Sequence, residues 1–200
     1  TLTYVVQASD GNLAATQNVV VTVIGTNDAP VFTISTTPPT DSVNANITET
    51  DDASLIRTGT LTVSDREPND SWTATVTGVV VDISSDAPAG AIPTEAALLQ
   101  MMTVSPTALL TNSTDITAVH GLTWTFNSGA TQAFDGLALN EVLVLDYSLR
   151  IEDTDDGQDT QTVRVTITGS NDAPTVTAVH VTGAIASGEP AQLFDSGAIT

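Results

Sequence analysis

The chain contains one segment twice, and this repeat constrains the fold more than any other feature. Residues 2–32 align with residues 145–176, and the string GTNDAPVF of the first copy returns as GSNDAPTV in the second. From Gln17 and Gln161 onward the offset stays at 144 residues, while one extra residue lies in the acidic turn of the second copy. Self-similarity of this kind is typical of tandem arrays of modules.

Each copy predicts two alternating strands joined by a turn that contains Asp and Gly, which is a hairpin that closes a β module. The segment after each N-D-A-P string therefore begins the next module. A weaker match between residues 57–65 and 194–200 supports this division. We expect the chain to be a window on a longer array, with the hairpin of a preceding repeat in 1–27, a complete module in 28–172 and the first strands of a following repeat in 173–200.

Within the complete module, short runs rich in Thr and Val alternate with turn residues. The β-branched side chains favour strands, and the even spacing of the turns is typical of a Greek-key sandwich. We therefore predict an all-β fold, a cadherin-like or immunoglobulin-like β-sandwich. The predicted strands of this module cover residues 45–49, 57–64, 72–82, 122–127, 142–152 and 161–169.

One stretch, PTEAALLQMM at residues 93–102, has the spacing of a helix instead. Thr94 is a suitable N-cap, and Glu95 stands in the first turn. We predict a single short helix that caps one end or edge of the sandwich. Four large side chains are interpreted as core, although one exposed Trp could serve a sugar-binding face: Trp72, Met101, Met102 and Trp124.

The charge of the chain is strongly unbalanced. Asp and Glu total 24 against 4 Lys and Arg, which gives a net charge of −20. Such a surface repels nucleic acid and anionic membranes and attracts cations. The chain has no Cys, so disulfides and thiolate metal sites are excluded. No apolar run predicts a membrane span, and no leader pattern predicts a signal peptide.

Three stretches together resemble the VCBS repeat family. They are the ending VVVTVIGTNDAP, the segment GLTWTFNSGATQAFDGLALNEVLVLDYSL and the helical string AALLQMM. The chain also resembles, more distantly, the cadherin fold, whose linkers bind calcium. The resemblance implies tandem modules of large secreted bacterial proteins, many of them RTX-type adhesins. It further implies a surface or extracellular location and a role in adhesion or biofilm formation.

Acidic clusters follow the predicted strands in an order similar to that of cadherin calcium ligands. SDREPND comes directly after a strand, and IEDTDDGQD forms the turn between the last two strands. Because these two turns lie at the same end of a Greek-key sandwich, their carboxylates should converge near the incoming linker. The candidate ligands at this end are Asn27, Asp28, Asp65, Glu67, Asn69 and Asp153.

The opposite end offers a second set of candidate ligands. Glu49 in ITET stands where cadherins have a base Glu, and Glu141 in LNEV resembles the later base Glu. Leu139 replaces the acidic companion that cadherins have beside the later Glu. Both glutamates should meet the outgoing linker at Asn171 and Asp172. Calcium prefers six to eight carboxylate and carbonyl oxygens, so we predict Ca²⁺ at both linkers.

Three functional classes follow from these observations. The preferred class is a non-catalytic, calcium-rigidified module that extends an adhesin and has neighbouring repeats as partners. The second is a module that itself binds a cell-surface glycan or protein, and the third is an enzyme, for which no HExxH, GxSxG or phosphate-binding Gly loop is found. Acidic turns also form without any ion, because Asp, Asn and Gly favour turns; Asp51 and Asp52 are interpreted as solvated acids of this kind.

Overall fold

The computed structural model describes residues 1–37, 40–51, 53–67, 70–110, 118–130 and 133–174. Within these ranges the chain is all-β apart from one short helix, which confirms the predicted fold class. The strands predicted after residue 174 lie outside the described residues. The described strands are β1 (Leu2–Ser9), β2 (Ala14–Val21), β3 (Val31–Thr33), β4 (Asn44–Thr48), β5 (Ile56–Ser64), β6 (Ser71–Val81), β7 (Met102–Ser105), β8 (Ala108–Leu110), β9 (Val119–Asn127), β10 (Val142–Asp153) and β11 (Gln158–Thr168).

Nine of these strands form two sheets that pack face to face. One sheet has the order β4-β11-β10-β6-β8, and the other has the order β3-β5-β9-β7. Every pair is antiparallel except β4 with β11, which run parallel. A single apolar core fills the space between the sheets, where the rings of Phe126 and Tyr147 meet with their centroids 6.1 Å apart. The result is the predicted immunoglobulin-like sandwich.

The long strands could be recognised from sequence because buried apolar side chains alternate along them with more exposed polar ones. In β10 the side chains of Leu145, Tyr147 and Leu149 are fully buried, whereas Asp146 and Ser148 between them are only partly buried. The six strands predicted for the complete module all form, with ends shifted by no more than three residues. The strands β3, β7 and β8 were not predicted. They have only three or four residues each, which is too short for the alternation of apolar and polar residues to be recognised.

The helix α1 (Glu95–Gln100) forms inside the predicted stretch, with Thr94 Oγ1 accepting a hydrogen bond from Ala97 N–H. Leu98 is buried in the core, and its carbonyl oxygen accepts a 2.9 Å hydrogen bond from the Tyr147 hydroxyl. This contact ties the helix to the middle of β10. The four side chains interpreted as core are all buried: Trp72, Met101, Met102 and Trp124.

The strands β1 and β2 form a separate two-stranded sheet, as the Asp-Gly turn predicts. Gly11 in this turn has φ +98°, a left-handed conformation that glycine adopts without a steric cost. All residues of both strands are exposed. Among the described residues, no helix is long and apolar enough to span a membrane.

Candidate cation sites at the two ends of the sandwich

The predicted ligands fall into two groups at opposite ends of β11. Asp153 precedes the turn that leads into this strand, and Ser170 follows its last residue by two positions. An 11-residue strand is about 35 Å long, so the two groups are separated by most of the length of the sandwich. We call them the incoming cluster, around Asp65 and Asp153, and the outgoing cluster, around Glu49 and Asp172.

In the incoming cluster, a chain of hydrogen bonds connects the linker to two turns. Asn27 Nδ2 donates to Asp153 Oδ2 over 3.0 Å, and Asp28 N–H donates to Glu67 Oε2 over 3.0 Å. Glu67 N–H in turn donates to Asp65 Oδ1 over 3.2 Å. The structure therefore brings together five of the six ligands predicted for this end, while Asn69 lies outside the described residues.

The linker is held closely against the β10–β11 hairpin. Asp153 Oδ1 accepts hydrogen bonds from two N–H groups of its own turn, including that of Gly157 at 2.7 Å. A Cβ atom on Gly157 would lie 2.8 Å from Asn27 Nδ2, so only glycine allows this approach. Further along, Phe32 N–H donates to Asp159 Oδ2 over 2.9 Å. These contacts fix the direction in which the chain enters the module.

Asp65 is the electrostatic centre of the incoming cluster. Its side chain belongs to a residue that is only 6% exposed, and Oδ2 has no hydrogen-bond partner within the described part of the chain. Burial raises the pKa of Asp65, and the negative charges of Asp70, Glu67 and Asp153 raise it further, against a lowering effect of the Glu67 N–H. A cation would relieve both the desolvation and the repulsion.

This raised pKa predicts a pH-dependent stability difference in the absence of metal. A carboxyl whose folded pKa is raised stabilises the folded state as the pH falls through that pKa, and the gain is complete below the ordinary value of 3.8. In chelator, Asp65→Asn should therefore be more stable than the unchanged chain at pH 7, and the difference should shrink towards pH 4. Urea midpoints of the two proteins measure this; a difference independent of pH would contradict it.

The outgoing cluster is built around a carboxylate that is almost fully buried. Glu49 is 1% exposed, and its Oε2 accepts a 2.7 Å hydrogen bond from Ser170 N–H. Its other oxygen, Oε1, is buried and has no hydrogen-bond partner among the described residues. Oxygens of Glu49, Asp51 and Asp172 lie within 4.8 Å of one another. Three carboxylates at this spacing match the size of a site for a hard cation.

The crowding of carboxylates in the outgoing cluster affects the protonation of Asp172. Its pKa is raised, first by a hydrogen bond with Asp51, then by burial and by the charges of Glu49, Asp51 and Asp135. Asp135 comes from the loop before β10 and was not recognised from sequence, because nothing in its neighbourhood places it beside the end of β11. Asp51 is exposed, as expected for a turn acid, but its carboxylate takes part in the cluster.

The remaining residues predicted at this end make local contacts. Glu141 Oε2 accepts a 2.8 Å hydrogen bond from Ala138 N–H in its own turn, and Glu141 is not one of the three clustered carboxylates. Asn171 Nδ2 donates to the carbonyl oxygen of Asp172 over 3.2 Å. The turn of Glu141 still helps to position the outgoing cluster. The carbonyl oxygen of Glu141 accepts a 2.8 Å hydrogen bond from Gly169 N–H, at the start of the outgoing linker.

Gly169 joins this turn to the outgoing linker. Its carbonyl oxygen accepts a hydrogen bond from Asn140 N–H over 3.1 Å. A Cβ atom here would lie 2.7 Å from the carbonyl oxygen of Leu137 and even closer to that of Ala138. Backbone on two sides therefore fixes the start of the N-D-A-P segment beside Glu49.

The chain is thus an acidic β-sandwich with a close group of three carboxylates at one end and a hydrogen-bonded set of acidic side chains at the other. No protein-family model matches the sequence, and no curated protein matches it.

The chain is similar in structure to several solved proteins at low identity. The CooA pilin subunit of enterotoxigenic Escherichia coli has 13% identity and a TM-score of 0.47, with 73% of this chain and 100% of the pilin covered. AggA, the major subunit of aggregative adherence fimbriae type I of Escherichia coli, has 13% identity and a TM-score of 0.39, with 74% and 100% covered. PapD-like domain 7 of human CEP192 has 13% identity and a TM-score of 0.37, with 72% and 95% covered.

Proposed function

We propose that the chain is a non-catalytic tandem module of a secreted bacterial adhesin, of the VCBS repeat type, in which Ca²⁺ at each linker stiffens the array. One observation carries this proposal. Each end of the sandwich holds a carboxylate that is at least nine-tenths buried, Asp65 at one end and Glu49 at the other, with one oxygen that no described donor reaches. Glu49 lies beside Asp172 of one N-D-A-P linker, and Asp65 is connected to Asp28 of the other through Glu67.

A buried carboxylate oxygen without a donor is costly, because burial disfavours the charged form unless a partner compensates. The chain has no Lys, and Arg66, which stands between Asp65 and Glu67 in sequence, takes part in none of the ion pairs given for the described residues. A divalent cation is the compensation that carboxylate and carbonyl oxygens select, and calcium tolerates irregular ligand arrangements. The net charge of −20 further raises the local cation concentration.

In the proposed array, the two copies of the linker represent complementary halves of one joint. Asn27 and Asp28 contact the module that follows them, through Asp153 and Glu67. Asp172 contacts the module that precedes it, beside Glu49. Because the two strings are copies, a single N-D-A-P linker between two modules would contact both at once. An ion bound there would fix the angle between neighbouring modules.

The proposed role does not require an aromatic binding surface. Trp72 and Trp124 are each 1% exposed, so neither offers the exposed ring on which a sugar could stack. The alternative of a glycan-binding module therefore loses its most direct support. Neighbouring repeats are the proposed partners, and the proposed location is the bacterial surface or the extracellular medium.

A calcium titration of the full chain by isothermal calorimetry tests the proposal. We expect binding with dissociation constants of about 0.1–1 mM, the range typical of extracellular modules. Glu49→Gln should remove the binding at the outgoing cluster, and Asp65→Asn that at the incoming cluster. Glu95→Gln, which removes an exposed carboxylate of α1 that belongs to neither cluster, is the matched control and should bind as the unchanged chain does. Absence of binding up to 10 mM calcium would overturn the proposal.

A further inference from the structure

The β1–β2 hairpin presents an apolar face that nothing in the described structure covers. The side chains on this face are between 40% and 54% exposed. The residues between them, on the opposite face, include the polar Thr3, Gln7 and Asn18 but also the exposed Val5 and Val20. The residues of the face are Leu2, Tyr4, Val6, Val19 and Val21.

The β10–β11 hairpin is a copy of this element in both sequence and register. Tyr4 pairs with Val19, and at the equivalent positions Tyr147 pairs with Val163. The residues equivalent to the exposed face are all 0% exposed in the second copy: Leu145, Tyr147, Leu149, Val163 and Val165. The second copy therefore shows which surroundings bury a face of this composition.

Those surroundings come from the first part of the module. The strand β6 pairs with β10, and β4 pairs in parallel with β11, so both edges of the hairpin are covered. The opposite sheet and helix α1 cover its apolar face, and the Tyr147 hydroxyl donates to the carbonyl oxygen of Leu98. A partner for β1–β2 must supply equivalent edge strands and an equivalent carbonyl group.

Pairing of two such hairpins with each other would not be sufficient. A face of eight residues by two strands measures about 26 Å by 10 Å, or roughly 260 Å². A stable interface of standard size buries about 800 Å² on each partner. The size of the face therefore favours a partner that also pairs with both strand edges.

The turn between β1 and β2 also matches the turn between β10 and β11. Asp10 Oδ1 accepts hydrogen bonds from Asn12 N–H at 2.9 Å and Leu13 N–H at 2.8 Å. Asp153 Oδ1 organises its own turn in the same way, and its second oxygen accepts from the linker residue Asn27. Asp10 is thus placed to receive the Asn of another N-D-A-P segment.

We propose that the β1–β2 face docks the first part of another module of the same design, equivalent to residues 27–144 and including the Asn of its N-D-A-P segment. In this complex Tyr4 and Asp10 take the roles that Tyr147 and Asp153 have in the complete module. The inference rests on the proposed function as a tandem module, but it requires no metal ion.

A fusion tests the docking directly. Residues 27–144 are placed immediately before Leu2 of the full chain, so that Leu2 follows as Leu145 does in the natural order. Amide hydrogen exchange of β1 and β2 should then slow by about 100-fold or more relative to the unmodified chain, because strands inside a sheet exchange only when a large part of the module opens.

Two variants of the fusion show whether the β1–β2 face packs against the added segment or is only covalently linked to it. Tyr4→Asp places a charge in the new core and should abolish the protection. Thr3→Asp is the matched control, because it lies on the opposite face and introduces the residue that the second copy has at this position, Asp146. It should retain the protection.

Unchanged exchange of β1 and β2 in the fusion would overturn the inference. So would equal protection of β1 and β2 in the Tyr4→Asp fusion, because the face would then not be packed in a core. Either result leaves the calcium titration of the complete module unaffected, and a failed titration leaves the fusion result standing, so the two proposals can fail separately.

Discussion

In 10 mM calcium the chain is expected to unfold at a temperature roughly 10 °C above its midpoint in chelator. With dissociation constants of about 0.1–1 mM, 10 mM ion stabilises the folded state by about 1.4–2.7 kcal/mol at each site. Two sites give about 3–5 kcal/mol, and each kcal/mol raises the midpoint of a domain of this size by about 3 °C. Thermal unfolding followed by circular dichroism measures the shift.

The double variant Glu49→Gln/Asp65→Asn should lose this shift while keeping the fold. Its midpoint in chelator should also exceed that of the unchanged chain, because two uncompensated buried charges have been removed. Glu95→Gln should keep the full shift. Sodium chloride at matched ionic strength controls for general screening of the acidic surface. Equal midpoints in calcium and in chelator would show that the clusters do not brace the fold.

Gly169→Ala is expected to destabilise the chain by about 2–3 kcal/mol and to disrupt the outgoing cluster. The new Cβ atom would overlap the carbonyl oxygens of Leu137 and Ala138, and backbone atoms cannot rotate away as a side chain can. The displaced linker would carry Ser170 away from Glu49. Calcium binding at that cluster should therefore weaken together with stability.

Gly121→Ala is the control for this substitution. Gly121 lies in β9, and a Cβ atom there would meet nothing within 4 Å. Chemical denaturation of both variants, with and without calcium, separates the two effects. If Gly169→Ala were as stable as Gly121→Ala, the backbone of the loop before β10 could shift to accommodate the new Cβ atom. The proposed rigid connection between this loop and the linker would then be wrong.

The long strands could be predicted because their signals are local. The alternation of apolar and polar residues located β10 and β11, whereas the module boundaries at the repeated N-D-A-P string stay a prediction. The convergence of Asp65 and Asp153 followed from the topology of a Greek-key sandwich, since it depends only on which strand ends share an end of the fold.

The remaining ligands could not be predicted because they depend on loop conformation. Asp51 looks like an ordinary turn acid in sequence, and only the course of the chain after β4 brings it to Asp172. Asp135 reaches the same place through a loop whose path has no periodic signal. Glu141 is the opposite case, a predicted ligand that makes only a local contact. Its carboxylate accepts a hydrogen bond from Ala138 N–H and so stabilises its own turn.

The parallel pairing of β4 with β11 determines how the module would carry a mechanical load. From the incoming linker the chain runs through β3, which pairs with β5, before it reaches β4, and it leaves at the end of β11. Once β3 has detached, tension applied at the two ends of the sandwich acts along β4 and β11 in opposite directions. The hydrogen bonds of this ladder are then loaded together in shear, whereas a hairpin pulled apart from its open end would lose them one at a time. The sandwich is thus arranged to resist extension along the line that joins its two ends.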